Sequence, residues 1–140
     1  MSVTLTALRD TSVIAPRKVK HAPLAWQFVI VRPAPYNEGI NEKSFYDAEQ
    51  SNDYNVGNWT YYAEFVAWLL DLFPELTPFK EALQTYTINS NFCSKIATTL
   101  NSCANRLPTT NETNKEYIHT FKAIKHAFNF AGRRGIIFFE

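Results

Sequence analysis

Residues 112–131 divide into two opposed faces, and that division limits what the chain can become. At 100° per residue, Tyr117, Phe121, Ile124, Phe128 and Ala131 fall within about 80° of one another. Lys115, His119, Lys122 and His126 fall within about 60° on the opposite side, Lys125 flanks them, and Arg133 and Arg134 lie just beyond. The pattern predicts a helix over about 112–131, with Gly132 as its C-terminal cap. Such a helix is stable only with its apolar stripe packed, so the rest of the chain must supply a core.

Three more helices are expected. One runs from about Trp59 to Phe73, with Asn58 as N-cap and Pro74 as its stop. Tyr62, Phe65, Val66, Trp68, Leu69, Leu70 and Leu72 make it apolar on nearly every face, which predicts the central buried helix. A short helix follows from Thr77, with Pro78 in the favoured first position, to about Tyr86. The next, Ser90 to Leu107, carries Phe92, Ile96, Leu100, Cys103 and Leu107 on one face and ends at Pro108.

Strand signals are fewer. Val3, Leu5 and Ala7 alternate weakly with polar residues, and Leu24, Trp26, Phe28 and Ile30 alternate strongly until Arg32-Pro33-Ala34-Pro35. Ile136 to Phe139 reads as a last short strand pairing with residues 26–31. Residues 36–57 read as an irregular loop rich in tyrosine and asparagine. With only four glycines, an all-β domain with many tight turns is disfavoured. The expected class is therefore α+β, predominantly helical: about four helices packed with a small β element from the N- and C-terminal segments. A single domain covers 1–140, divided into a basic strand region (1–35), an acidic loop (36–57), a helical core (58–131) and a final strand (132–140).

Charge is sorted along the chain although the net is only +1. Residues 1–32 and 82–140 are each net +4, while residues 33–81 are net −7. Cations on one helix face suit a run of phosphates, each contact releasing counterions. The nucleic-acid candidates are thus Lys115, His119, Lys122, Lys125, His126, Arg133 and Arg134, joined by Arg17, Lys18 and Lys20 of the N-terminal basic stretch. Tyrosines on a loop supply contact area at low entropy cost, which makes Tyr36, Tyr46, Asp47, Glu49, Asp53 and Tyr54 candidates for a protein contact. The two surfaces are expected to be separate.

Signatures of catalysis are poor. No phosphate-binding glycine loop or nucleophile elbow occurs, no histidine, cysteine or carboxylate spacing completes a zinc site, and no cofactor or metal is expected. Glu64 and Asp71, seven apart, read as the solvated edge of their helix. Cys93 and Cys103 sit about 15 Å apart along one helix, too far for a disulfide, and read as free thiols of a cytoplasmic protein. No run of 18 apolar residues is available to span a membrane, and no small-molecule substrate is expected. The expectation is a non-enzymatic small subunit of a nucleoprotein assembly, touching nucleic-acid backbone and at least one protein subunit. Small subunits of RNA-guided CRISPR effector complexes offer an analogy of size alone. The alternative is an interaction or inhibitor protein of phage or mobile-element origin, using the acidic loop to block a partner's basic groove.

Overall fold

A computed structural model describes residues 2–15, 17–18, 25–28, 30, 34–84 and 87–140. Its frame is an antiparallel four-stranded sheet in the order β2-β1-β4-β3, with β1 Ser2–Ile14, β2 Phe45–Asn58, β3 Thr87–Ile88 and β4 Ile136–Phe139. Three α-helices, α1 Trp59–Leu72, α2 Ser90–Ala104 and α3 Lys115–Ala131, complete it with short 3-10 turns. The expected class is corrected here. Two strands of 13 and 14 residues make the sheet a principal layer rather than a minor appendage, and strand accounts for 27% of the structure.

Side chains alternate across this sheet. Val3, Leu5, Ala7, Ile137 and Phe139 point into the main core with the helices. Leu8, Ile136 and Phe138 point the other way, where Phe28 and Tyr46 cover them. Phe28 and Trp26 of the alternating run thus pack on the second face, while Leu24 lies outside the described residues. Among the run's described residues only Trp26 bridges a strand, at Tyr46. Accordingly β4 pairs with β1, Leu5 opposite Phe139 and Leu8 opposite Ile136, and with β3, and with none of the described residues among 26–31. The supposed loop 36–57 is mostly β2, paired with β1 along its length.

The phase of β1 changes at Asp10, which has a left-handed φ of 54°. Before it, Thr4 exchanges both backbone hydrogen bonds with Glu140; after it, the Thr11 N–H donates to Arg134 O. Across from it the ribbon rolls over: Tyr54 and Val56 face the helices, whereas Tyr46 and Ala48 pack on the second face.

α1 and α2 start where the sequence places them, α3 starts at Lys115 rather than about 112, and the three differ in how they are buried. Asn58 caps α1, its Oδ1 accepting from Tyr61 N at 2.8 Å, and Asn89 caps α2 in the same way through Phe92 N at 2.9 Å. Removing such a cap costs about 1 kcal/mol, so Asn58→Ala should lower stability by roughly that amount in urea titration while leaving the m-value unchanged. The central helix is α3, with Phe121, Ile124 and Phe128 fully enclosed, not α1 as its composition suggests. Only Tyr62, Phe65, Val66 and Leu69 of α1 are buried; Thr60, Ala63, Glu64, Ala67 and Asp71 face solvent. The helix expected from Thr77 to Tyr86 is a pair of 3-10 turns, Pro74–Phe79 and Ala82–Gln84. α2 stops three residues short of Leu107. Gly132 follows α3 with right-handed dihedrals (φ −61°), so it closes the helix without a left-handed cap.

Candidate nucleic-acid interface

With its apolar stripe in the core, α3 turns Lys115, His119, Lys122 and His126 to solvent, and Lys125 lies half-buried beside them. Lys115 Nζ makes one exposed ion pair, 3.1 Å to Glu112 Oε2. A pair of this kind contributes little and is easily exchanged for another anion.

Along one side of this face runs a groove of about 640 Å³ between α3 and the junction of β2 with α1. Asn55, Asn58 and Tyr61 form one wall; Lys115, His119 and Thr120 form the other. The wall is stiff for local reasons. Gly57 has φ +90°, and a Cβ there would lie 2.5 Å from Tyr61 Cδ1, so glycine lets the tyrosine lie flat on the backbone. The Tyr61 ring stacks on Tyr117 at 5.7 Å, and its hydroxyl bonds Thr120 Oγ1 at 2.8 Å. Farther along, the Tyr54 hydroxyl hydrogen-bonds Nδ1 of His126, with ring centroids 5.6 Å apart. Burial raises the Tyr54 pKa, against smaller opposing effects of Asn52 and Arg9.

At the far end of α3, Arg133 and Arg134 converge on one carboxylate. Asp10 Oδ1 accepts from Arg134 Nε at 3.2 Å and Nη2 at 3.0 Å, and Arg133 Nε lies 3.5 Å from Oδ2. Nearby, Arg9 Nε donates to Phe130 O at 3.0 Å and its guanidinium lies 4.2 Å over the Phe130 ring. Arg17 and Lys18 are exposed after β1, and Lys20 lies outside the described residues.

The acidic candidates scatter. Tyr46 is buried in the second core and its hydroxyl accepts from Asn41 N, so it presents no contact surface. Tyr36 is half-buried, edge-on to Phe92, with its carbonyl accepting from Asn89 N. Asp53 accepts from Thr6 Oγ1 at 2.7 Å. Asp47 and Glu49 remain exposed, Asp47 accepting from Ala48 N. The two surfaces are not separate, because Tyr54 of β2 touches His126 of α3. Sequence reasoning missed Asp10, Arg9, Asn52, Asn55 and Tyr61. Only Asn58 announced itself, as a helix cap.

Both cysteines are free and buried, which places them away from solvent-borne substrates. Among the described residues no group of three or more histidines, cysteines and carboxylates could hold a metal ion, and no helix is long and apolar enough to cross a membrane. Comparison with protein-family models, curated proteins and solved structures gives no match for this chain.

Proposed function

We propose that this chain is a non-enzymatic cytoplasmic subunit of a nucleoprotein assembly, gripping nucleic-acid backbone along α3 without reading sequence. One observation carries the reading: Lys115, His119, Lys122 and His126 share the solvent face of a helix whose opposite face is in the core. Core packing therefore does not account for them. From Lys115 to Arg133 the track is about 27 Å long at the helical rise, enough for several successive phosphates. Asp47, Glu49 and Asp53, exposed along β2, are the acidic side chains that can face a neighbouring protein subunit.

Four to five phosphate contacts imply that affinity for a short single strand or duplex falls by about a hundredfold between 50 and 200 mM salt. Replacing Lys115, Lys122 and Lys125 together with alanine should flatten the slope of log K against log salt by about 2 to 3. Fluorescence anisotropy with a labelled 20-nucleotide strand measures both. Binding that ignores salt, or ignores the triple change, sinks the proposal.

A further inference from the structure

We propose that Asp10 is a positioning residue that holds Arg133 and Arg134 as a preassembled phosphate clamp. The clamp is the fixed end of the cationic track, so this inference rests on the reading of α3 as a nucleic-acid surface.

The anchor lies inside and the fork outside. The Asp10 side chain is 8% exposed, whereas those of Arg133 and Arg134 are 69% and 79% exposed. One carboxylate facing two guanidiniums leaves a net positive charge at the surface. Arg134 spends Nε and Nη2 on Asp10, and Arg133 turns only Nε toward it. Both terminal nitrogens of Arg133 and Nη1 of Arg134 have no partner among the described residues. These are planar, outward-facing donors of the kind that suit the oxygens of a phosphate.

The backbone fixes the pair as well. Asp10 N donates to Arg133 O at 3.0 Å, Thr11 N to Arg134 O at 2.8 Å, and Thr11 Oγ1 to the same oxygen at 2.8 Å. Asp10 and Arg134 both adopt left-handed φ, 54° and 49°. Aspartate tolerates that region, but arginine is an unusual occupant, and here glycines stand at 132 and 135 while the arginine takes the left-handed position. Strain of this sort persists where the surroundings over-determine it. A free arginine surrenders rotamer freedom on binding an anion; this pair has surrendered it on folding.

Asp10→Asn separates preorganisation from simple charge. Removing a negative charge beside the track favours polyanion binding on electrostatic grounds, whereas loss of the clamp disfavours it. Asparagine accepts left-handed φ at least as readily as aspartate, so the backbone is retained. The probe is a labelled single-stranded 20-mer, titrated against the full chain at 50 and 200 mM salt, with circular dichroism melting as the check on folding. The expected result is binding five- to tenfold weaker for Asp10→Asn, with a shallower salt slope and an unchanged melting curve. Arg133→Lys with Arg134→Lys keeps both charges but removes the forks, and the same loss is expected, which preserves the test if Asp10→Asn does not fold. Equal or tighter binding by Asp10→Asn, or unaltered binding by the double lysine variant, overturns the clamp. If the Lys115, Lys122 and Lys125 triple variant still weakens binding in that event, only the clamp fails. If that variant too binds like the parent, the whole α3 surface fails with it.

Discussion

Gly135→Ala should remove more of the fold's stability than any other single methyl placed on a glycine of this chain. A Cβ at this position would sit 1.8 Å from Leu8 O, 2.6 Å from Ala131 O and 2.9 Å from Ala131 Cα. All three are backbone atoms, so no rotamer change gives relief. The Gly135 N–H donates to Ala131 O, and β4, beginning at the next residue, is paired with β1 at Leu8. The new methyl must therefore open the last turn of α3 or prise β4 off β1. Overpacking a side-chain core costs about 1–3 kcal/mol; wedging two backbones apart should exceed about 4 kcal/mol, a large part of the 5–15 kcal/mol that holds a typical domain together. Gly39→Ala is the control. Gly39 has a positive φ, +86°, but its Cβ would meet nothing within 4 Å, so it should lose only about 1–2 kcal/mol of backbone preference. Urea titration followed by circular dichroism separates the two, and a Gly135→Ala protein as stable as Gly39→Ala would contradict the packing of β4 against Leu8.

Both thiols should be nearly inert in the folded chain. Burial pushes Cys103 up from 9.0 to about 11; Glu75, with Oε1 3.8 Å from the sulfur, adds to the rise, and Arg106 opposes it. Burial raises Cys93 further. Two pH units reduce the thiolate of Cys103 at pH 8 by about a hundredfold, before any steric exclusion is counted. Reaction with an aromatic disulfide reagent should thus be at least that much slower than in urea, where two equivalents titrate at once. The same shift fixes a pH dependence. Folding favours the neutral thiol, so its contribution is complete below the unfolded value near 9 and is lost as pH rises through about 11. Cys103→Ala should flatten that alkaline loss of stability. Native reactivity equal to that of a free cysteine would refute the burial of both side chains.

What the sequence disclosed follows how local each signal is. α3 declared both its faces because its periodicity is contained in 17 residues, and Asn58 marks a helix start by bonding three residues ahead. β2 stayed hidden. It is a sheet edge whose Gln50, Ser51, Asn52, Asp53 and Asn55 are exposed, so it lacks the apolar alternation that signals a strand; pairing with β1 alone makes it one. Residues 25–28 carried a persuasive alternation for a different reason, since Phe28 lies over a sheet face instead of entering a ladder. α1 looked central because Trp68, Leu70 and Leu72 add to its apolar count, yet Trp68 and Leu70 are only half-buried and Leu72 is exposed. Of the interface, the α3 cations were legible and their neighbours were not. Asp10 meets Arg134 across 124 residues, and Tyr54 meets His126 across 72, contacts that no local pattern encodes.

The seat of β4 between β1 and β3 bears on how this chain comes off the ribosome. Every other strand has been synthesised by residue 88, yet β1 and β3 share no partner until residues 136–139 emerge to bridge them. Until then the inner faces of Leu5, Ala7 and Ile88 lack their central strand, and the nascent chain carries an open, apolar slot from the synthesis of β3 until that of β4. Closing a loop of some 130 residues is slow by the topology of the contact alone. The sheet should therefore close only once residues 136–139 are available, and synonymous changes that slow the codons between β3 and β4 should prolong exposure of this slot and favour aggregation.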